Sequence, residues 1–548
     1  ADLDWLEKSF SVLSGSFSFD KVYLETFRDN VLVDRDLMLR VKSFFNDKGV
    51  ETSGGIATYL SSGLKFQSLC YSKPEDREKL WKATNLTAML FDEIILDDFF
   101  FTSCRCEECV KAKGDKSWTE HRLKLMETVS EGLIKKAKEV NQKVKLVIKY
   151  PNWYDHYQYL GYNLESESRL FDMIYTGTET RDPEYTHQHL QEYQSYAIMR
   201  FLENVKPGGN GGGWVDPFAR RTLNRYAEQI RLTLFAKAKE VTLFCFGALI
   251  EMVTPPNGIP RPTSQVASIA GKVFEEMDPV LSMLGKPYGV PSYKPYHSSG
   301  EDFLHNYIGM LGIPMEITPR FPEEIETVFL TECAKFDKDI IRKIQTHLLK
   351  GGNIIITSGF LKALQDDVSR DLVEVQYTDR RVLVNEFSMF TDTYHSDIPI
   401  LIPQLKYATN DSWEMVTCLS RGNGYPLLLQ TSYAGGTLYI LTVPDNFNDL
   451  YHLPSEVINE LRRVFISSLK IRLEGPSRIC IFLYDNDTFV IHSFMPHFTK
   501  CSVVVKKSDA KLYEPALGTE IKGFERNSEA VFTVFLQPYS YRVFKIGT

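Results

Sequence analysis

The chain has 548 residues, of which 43% are hydrophobic and 24% charged, an ordinary composition for a folded protein of more than one domain. Its 71 acidic residues outnumber its 63 lysines and arginines, and the net charge of −8 argues against nucleic acid or an anionic membrane as partner. The sequence contains no apolar run of membrane-spanning length. It begins at Ala1 with no signal-peptide pattern, so we expect a mature periplasmic or extracellular protein, or a trimmed chain.

Strand-like and helix-like runs alternate from the start of the chain to about residue 290. Counted generously, the alternation gives eight β/α units, beginning with a weakly patterned strand at 9–15 and a clearer strand at 21–27. Repeated β/α units build a parallel sheet, and eight of them close into a barrel. The sequence therefore predicts an α/β fold whose first domain, residues 1–290, is a (β/α)8 TIM barrel.

Two further domains follow a segment at 286–300 that is rich in Pro, Gly and Ser, the composition of a linker. Residues 291–474 alternate strands and helices on a smaller scale, which predicts an open α/β domain. Short alternating runs over 475–548 predict a small antiparallel β-sandwich. Residues 351–360 resemble glutamine amidotransferases but carry no G-x-C-x-G elbow, so we expect the middle domain to be inactive and used for packing or oligomerisation.

The first candidate for an active site follows the apolar run at 93–96. Two adjacent acids, Asp97 and Asp98, end this predicted strand, and barrels place their chemistry at the carboxyl ends of strands. A helix or turn cap is the structural alternative for an Asp in this position. Neighbouring strand residues point to opposite sides, so we expect one of the two to face the cleft. We predict Asp98 as the catalytic acid, with Asp97 orienting it or holding a substrate hydroxyl.

A second carboxyl group is predicted at Glu179, three residues after the buried run at 171–176. Its neighbour Arg181 is assigned to substrate binding, and the alternative is a surface ion pair of Arg181 with Glu179 or Asp182, which contributes little to stability. Asp216, which follows a glycine-rich strand candidate, is the rival of Glu179 for the same role.

Hydrolysis of a glycosidic bond needs two carboxyl groups across one bond, one as acid and the other as nucleophile or base. Strand-end acids from different strands of a barrel supply this arrangement. Nearby aromatic side chains suit stacking on sugar rings, with wall packing as the alternative for each; they are Trp153, Tyr154, Tyr157 and Trp214. The sequence therefore predicts a glycosidase, in which Asp97 and Asp216 join these aromatics in binding the substrate.

Three cysteines follow the paired acids in a C-x-C-x-x-C spacing, namely Cys104, Cys106 and Cys109, and Cys70 is a possible fourth partner. This spacing is typical of zinc ligands, whereas three free thiols in a loop are the alternative. Four sulfur ligands leave no open position, so the predicted zinc is structural. We expect no organic cofactor, because the glycine run at 208–213 lacks the Lys and Ser/Thr of a phosphate-binding loop.

The order of domains resembles glycoside hydrolase family 42, the β-galactosidase family with an amidotransferase-like trimerisation domain. The local match is LDDFFFTSCRCEEC, where the family has a strand-end Asn-Glu and then a zinc-binding C-x-C-x-x-C. The resemblance places Asp98 on the family's general acid, Asp97 on its substrate-holding neighbour, and the four cysteines on its zinc ligands. It implies a β-galactosidase-like activity and a trimer. The family's nucleophile lies on the seventh strand, which by our count carries Asp216.

Two other functions compete with this interpretation. Asp-Asp stands where the family has Asn-Glu, which shortens the acid by one methylene and motivates a non-catalytic carbohydrate-binding or scaffold protein on a degenerate barrel. An amidohydrolase would need strand-end His clusters, which the sequence lacks. In each carbohydrate interpretation we expect a sugar as partner, together with self-association, and neither nucleic acid nor membrane.

Overall fold

The structure is a computed structural model that describes residues 3–61, 67–184, 190–219, 222–253, 261–263, 265–324, 326–408 and 411–547. Its contacts divide the chain into two compact units. The first comprises residues 1–188, 202–234 and 238–278, and the second comprises 189–201, 235–237 and 279–548.

The helices are distributed along the whole described chain. The α-helices are α1 (Leu3–Ser14), α2 (Arg35–Asp47), α3 (Pro74–Leu90), α4 (Glu107–Lys113), α5 (Trp118–Val140), α6 (Leu164–Leu170), α7 (Gln194–Val205), α8 (Leu223–Phe235), α9 (Phe246–Leu249), α10 (Gln265–Met283), α11 (Leu304–Met310), α12 (Ile340–Leu349), α13 (Ser358–Ala363), α14 (Gln365–Asp371) and α15 (Ser455–Phe465). Short 3-10 helices occupy Tyr154–Leu160, Glu332–Phe336 and Phe447–His452. Within the described residues, none of these helices combines the length and apolarity needed to cross a membrane.

The first unit is built on a curled eight-stranded sheet. In spatial order its strands are β10 (Glu240–Leu243), β9 (Asn210–Val215), β8 (Met173–Gly177), β7 (Lys145–Tyr150), β6 (Glu93–Leu96), β3 (Glu51–Ile56), β1 (Lys21–Arg28) and β2 (Val31–Leu32). All neighbours are parallel except β2, which pairs antiparallel with β1. Two short hairpins accompany the sheet, β4 (Tyr59–Leu60) with β5 (Gln67–Ser68) and β11 (Glu251–Val253) with β12 (Arg261–Thr263).

The two ends of this sheet curl towards each other. The Tyr23 hydroxyl of β1 donates to Glu240 Oε2 of β10 at 3.3 Å, and Lys21 Nζ donates to Glu240 Oε1 at 3.4 Å. The central strands are buried along nearly their whole length, as expected for parallel strands covered on both faces. This arrangement confirms the predicted barrel-type α/β fold.

The predicted strand at 9–15 is wrong, because these residues lie largely in α1. Over the whole segment the buried residues Leu6, Ser9 and Leu13 recur at helical spacing. The seven residues 9–15 are too few to distinguish a helical repeat of about 3.6 residues from the two-residue repeat of a strand. The described sheet therefore has seven parallel strands in place of the eight units counted from the sequence.

The second unit contains a nine-stranded mixed sheet. In spatial order its strands are β15 (Met315–Thr318), β14 (Val290–Tyr293), β16 (Thr327–Leu330), β17 (Asn353–Thr357), β22 (Gly436–Leu441), β21 (Asn423–Tyr433), β20 (Trp413–Ser420), β18 (Val375–Met389) and β19 (Asp392–Tyr407). The first five are parallel, as expected for an open α/β domain. The last four form antiparallel pairs that the sequence analysis did not predict.

Two antiparallel sheets make up most of the C-terminal region and confirm the predicted β-sandwich. One sheet has the order β13 (Pro287–Tyr288), β24 (Ile479–Tyr484), β25 (Thr488–Ser493), β31 (Tyr541–Gly547), β27 (Lys511–Glu514) and β28 (Thr519–Ile521). The other has the order β23 (Ile471–Glu474), β26 (Thr499–Val505), β30 (Glu529–Leu536) and β29 (Gly523–Arg526). The boundaries 1–290, 291–474 and 475–548 stay a prediction.

Candidate active site

The acids singled out from the sequence lie at one edge of the curled sheet. Asp97 and Asp98 directly follow β6, Glu179 lies two residues beyond β8, and Asp216 directly follows β9. Because these parallel strands are close neighbours in the order β9-β8-β7-β6, their carboxyl ends meet at the same edge. The prediction that the acids share one edge of the barrel agrees with this geometry.

A lysine that the sequence analysis missed joins two of these acids. Lys149, on β7 between β6 and β8, lies with Nζ 3.0 Å from Asp98 Oδ2 and 2.8 Å from Glu179 Oε1. These two carboxyl oxygens are therefore at most about 5.8 Å apart. The Lys149 side chain is 2% exposed, and a buried charge is costly unless it is paired. The sequence feature that could have indicated this residue is a lysine inside the apolar run of the buried strand KLVIKY.

The surroundings give the two carboxyl groups different proton affinities. Burial alone would raise the pKa of Asp98, but the ammonium of Lys149 and a hydrogen bond to Asp97 hold it below its ordinary value. Burial raises the pKa of Glu179, and Lys149 offsets this only in part. The Asp98 side chain keeps 20% of its surface exposed and Glu179 keeps 6%, so Asp98 is the more open of the two.

Glu179 contacts both the end of β8 and the segment that follows β7. Asn152 Nδ2 donates to the backbone oxygen of Glu179 at 2.7 Å. A Cβ atom at Gly177 would lie 2.6 Å from Glu179 Oε2 and 3.0 Å from the backbone oxygen of Tyr150. Glycine is therefore required at the end of β8 for the carboxylate to approach the backbone this closely.

Asp97 is hydrogen-bonded to a second cation, Arg28, and lies 3.9 Å from Lys149. Arg28 on β1 donates through Nη2 to Asp97 Oδ2 at 3.0 Å. It also donates to both carboxylate oxygens of Glu25, through Nε at 2.7 Å and through Nη2 at 2.5 Å. Asp97 Oδ1 accepts the backbone N–H of Asp98 at 2.7 Å. Burial and the adjacent Asp98 raise the pKa of Asp97 well above its ordinary value. Asp97 is thus placed to orient Asp98, and Arg28 is a site residue that sequence reasoning did not find.

The two rivals for the second carboxyl differ in their partners. Arg181 donates to both oxygens of Asp216, through Nε at 3.0 Å and Nη2 at 2.6 Å, the bidentate geometry that holds a carboxylate firmly. Asp216 Oδ1 also accepts the backbone N–H of Phe218 at 3.1 Å. Glu179 instead shares Lys149 with Asp98.

The predicted aromatic residues fall into two groups. Tyr154, Tyr157 and Trp214 are buried, and Trp214 packs in the barrel core with its ring centroid 4.6 Å from Lys149 Nζ. Trp153 is partly buried, and its ring centroid lies 6.2 Å from that of Phe101. Of these four side chains Trp153 offers the most ring surface, so stacking on a sugar stays a prediction chiefly for Trp153.

The four cysteines named from the sequence form a cluster that could hold a metal ion. The sulfur atoms of Cys70, Cys104, Cys106 and Cys109 all lie within 4.8 Å of one another, and all four are free thiols. The Sγ–Sγ distances are 3.5 Å for Cys70–Cys109, 3.7 Å for Cys70–Cys106 and 3.6 Å for Cys106–Cys109. The cluster joins the segment after β5 to the loop that follows Asp98.

Two parts of the chain are similar to families that are described as probable glycosyl hydrolases. Residues 1–271 match the family described as "Probable glycosyl hydrolase, catalytic domain", and residues 470–546 match "Probable glycosyl hydrolase, C-terminal domain". Residues 285–446 match a family described as the second domain of uncharacterized protein SSO3021. That protein, from Saccharolobus solfataricus, is 23% identical over 472 residues, which cover 77% of this chain and 76% of the relative.

Solved structures of glycosidases share the fold over nearly the whole chain. An α-L-fucosidase isoenzyme 2 from Paenibacillus thiaminolyticus has a TM-score of 0.68 at 12% identity, covering 99% of this chain and 96% of its own. Gan42B, a GH42 β-galactosidase from G. stearothermophilus, has a TM-score of 0.66 at 12% identity, covering 100% and 96%. Residues 1–271 and 470–546 are therefore similar to the catalytic and C-terminal domains of the probable glycosyl hydrolases, on a fold distantly similar to that of the GH42 β-galactosidases.

Proposed function

We propose that the protein is a retaining glycoside hydrolase that works with the carboxyl pair Asp98 and Glu179. The observation that carries the proposal is the single ammonium of Lys149 between their oxygens, which keeps them at most about 5.8 Å apart. Retaining enzymes hold their carboxyl groups about 5–5.5 Å apart, whereas inverting enzymes leave about 6.5–9.5 Å for a water molecule. The pair fits the shorter spacing and thus a double displacement.

The roles within the pair follow from the charges. A nucleophile must be ionised, and a general acid must carry a proton at the working pH. Lys149 favours the ionised form of Asp98, whereas burial favours the protonated form of Glu179. We therefore assign the nucleophile to Asp98 and the proton donor to Glu179, which reverses the roles predicted from the sequence.

The substrate that we propose is a glycoside of galacto configuration. The structural relatives with TM-scores of 0.62 to 0.68 are named as β-galactosidases and as an α-L-fucosidase, whereas an exo-β-1,4-mannosidase has a lower TM-score of 0.55. L-Fucose is a 6-deoxy sugar of the galacto series. The first substrates to test are therefore aryl β-D-galactosides and aryl α-L-fucosides. Trp153, which keeps part of its ring exposed, is proposed to contact the sugar.

The test is a panel of α- and β-aryl glycosides that includes β-D-galactoside and α-L-fucoside, run with the wild type and two variants. Asp98→Asn and Glu179→Gln should each abolish turnover of any substrate found. Asp92→Asn is the matched control, because Asp92 is exposed and precedes the same strand at its opposite end. Full activity of both carboxyl variants would refute the proposal, and oligosaccharide binding without turnover would favour the non-catalytic alternative.

We also propose that the four cysteines hold a structural zinc ion. Four thiolates at a Zn–S distance of about 2.3 Å in a tetrahedron place their sulfur atoms about 3.8 Å apart. The separations among the sulfur atoms of Cys70, Cys106 and Cys109 are 3.5–3.7 Å, close to this value, and the sulfur of Cys104 lies within 4.8 Å of each of them. Zinc there would anchor the loop that leads away from Asp98, and the ion would take no part in the reaction.

Removal of two of these ligands should release the metal. For Cys106→Ser combined with Cys109→Ser, we expect bound zinc, measured by plasma mass spectrometry, to fall from about one ion per chain to almost none. The thermal midpoint should fall by about 2–4 °C for each kcal/mol lost. Cys245→Ser, a partly exposed cysteine outside the cluster, should change neither value. A wild-type protein without metal would contradict the zinc proposal.

A further inference from the structure

We infer that Lys149 is a positioning residue, which holds the two carboxyl groups at their working separation and keeps Asp98 ionised beside a protonated Glu179. The inference rests on the proposed function, because it assigns a role within the same carboxyl pair. Nothing in the family comparisons or in the sequence pattern assigns this role to a lysine.

The geometry places the ammonium between the two strands that carry the acids. Lys149 belongs to β7, which pairs with β6 on one side and β8 on the other, so its side chain enters between their carboxyl ends. Its nitrogen meets Asp98 at 3.0 Å, Glu179 at 2.8 Å and Asp97 at 3.9 Å. The ring centroid of Trp214 lies 4.6 Å from the same nitrogen. The side chain is 2% exposed, so Lys149 acts through the carboxyl groups and does not reach a substrate.

One cation between two buried carboxyl groups favours one ionised and one protonated group, which is the combination that a nucleophile and a general acid need. A buried lysine stays charged when opposite charges lie within about 4–6 Å, and the pKa of Lys149 is raised although burial opposes it. Its single charge compensates one buried carboxylate. The second carboxyl group is then better accommodated with its proton, and here that group is Glu179, the less exposed of the two.

Other titratable groups surround the pair from the neighbouring elements. They are Glu25 and Arg28 on β1, Asp97 after β6, Tyr157 and Tyr162 after β7, Arg181 after β8, and Asp216 after β9. Arg28 is engaged by Glu25 and Asp97, and Arg181 is engaged by both oxygens of Asp216. Arg181 also lowers the pKa of Asp98, but Lys149 has the larger effect and is the cation in direct contact.

The first test measures stability against pH and needs no substrate. In the wild type, the ionised Asp98 stabilises the fold above the usual carboxyl pKa, and this contribution is lost as the pH falls through its lowered value. In Lys149→Met the two carboxyl groups are buried without this cation, so their pKa values rise and stability is lost as the pH rises. We expect the deficit in thermal midpoint relative to the wild type to widen from pH 4.5 to pH 8.

Matched variants separate charge from packing. Lys145→Met removes the same charge from the exposed end of the same strand and should shift the midpoint equally at both pH values. Lys149→Arg keeps the cation and should restore much of the lost stability at pH 8. Should Lys149→Met not fold, Lys149→Met combined with Glu179→Gln removes one buried carboxylate as well and should recover folded protein at pH 8. A deficit independent of pH would overturn the inference.

The second test uses a substrate identified in the glycoside panel. Loss of the cation raises the pKa of both carboxyl groups, so the bell-shaped profile of kcat/KM should move to higher pH by about 1–3 units in Lys149→Met. Lys149→Arg should move it back. An unchanged profile would overturn the inference even where the enzyme is a glycosidase. If the panel gives no turnover, the proposed function fails, whereas the stability test still decides the role of Lys149.

Discussion

Azide should rescue Asp98→Ala and Glu179→Ala with opposite stereochemistry. Without the Asp98 carboxylate no glycosyl-enzyme forms, so azide attacks the anomeric carbon once and yields a glycosyl azide of inverted configuration. In Glu179→Ala the glycosyl-enzyme still forms on Asp98 from an activated aryl glycoside. Azide then displaces Asp98 in a second step, and the product retains the configuration of the substrate.

The two variants should also differ in their dependence on the leaving group. Glu179→Ala removes the proton donor, so it should lose about 10²–10⁴-fold in kcat on sugars with a poor leaving group. On a dinitrophenyl glycoside, which departs without a proton, the same variant should lose much less. Asp98→Ala should lose at least about 10³-fold on both kinds of substrate, because bond formation itself is removed. Kinetics with each substrate and NMR of the azide products measure these outcomes.

Asp216→Ala belongs in the same experiment. Arg181 donates to both oxygens of Asp216, and the strand count made from the sequence placed the family 42 nucleophile at this position. Without the strand at 9–15, β9 is the sixth parallel strand of the sheet, so the experiment must decide whether Asp216 has that role. We expect Asp216→Ala to weaken substrate binding and to give no azide product of inverted configuration. An inverted product from this variant would move the nucleophile from Asp98 to Asp216. The opposite pattern for Asp98 and Glu179 would restore the roles predicted from the sequence.

The acids of the candidate site could be predicted because each one interrupts or follows an apolar run. Asp97 and Asp98 end β6, and Asp216 ends β9, so their place at the strand ends follows from the linear pattern alone. Their partners could not be predicted in the same way. Arg181 meets Asp216 from a neighbouring strand, and a linear sequence does not show which strand ends will face each other.

Lys149 shows the limit of reading a site by residue type. Acids at the ends of strands indicate a glycosidase site, whereas a lysine inside a buried strand carries no such indication in the sequence. Its role depends on the register that sets Lys149 opposite Tyr175 of β8 and Ile148 opposite Leu96 of β6, which points the ammonium at both carboxyl groups. A rule that treats every charge within a buried strand as paired would have marked it.

The antiparallel strands of the second unit could not be predicted from local sequence patterns. The strands over 290–357 were readable as short apolar runs, whereas β18 and β19 are 15 and 16 residues long with many exposed positions. Exposed strands of this length lack the strict alternation on which a sequence-based assignment depends. Self-association as a trimer stays a prediction, because it depends on contacts with other copies of the chain. Export from the cytoplasm also stays a prediction.

Arg462→Met should destabilise the second unit more than any surface substitution. Arg462 on α15 has no exposed surface, and its guanidinium donates to the backbone oxygens of Leu311 at 2.6 Å, Gly475 at 2.7 Å and Pro476 at 2.8 Å. Burial lowers its pKa to about 10, so the side chain is charged at neutral pH. Methionine fills a similar volume but leaves three carbonyl groups without this donor, which costs about 3–5 kcal/mol.

The neighbouring residue on the same helix is the control for this prediction. Arg463 is 57% exposed and pairs with Glu460, so Arg463→Met should leave the thermal midpoint almost unchanged. Arg462→Met should lower it by roughly 6–20 °C when the full chain is followed by calorimetry or circular dichroism. Equal shifts for the two variants would show that the loss of a positive charge on α15 is what matters. A large shift confined to Arg462 would instead show that the three carbonyl contacts hold α15 against both the end of α11 and the start of the C-terminal β-region.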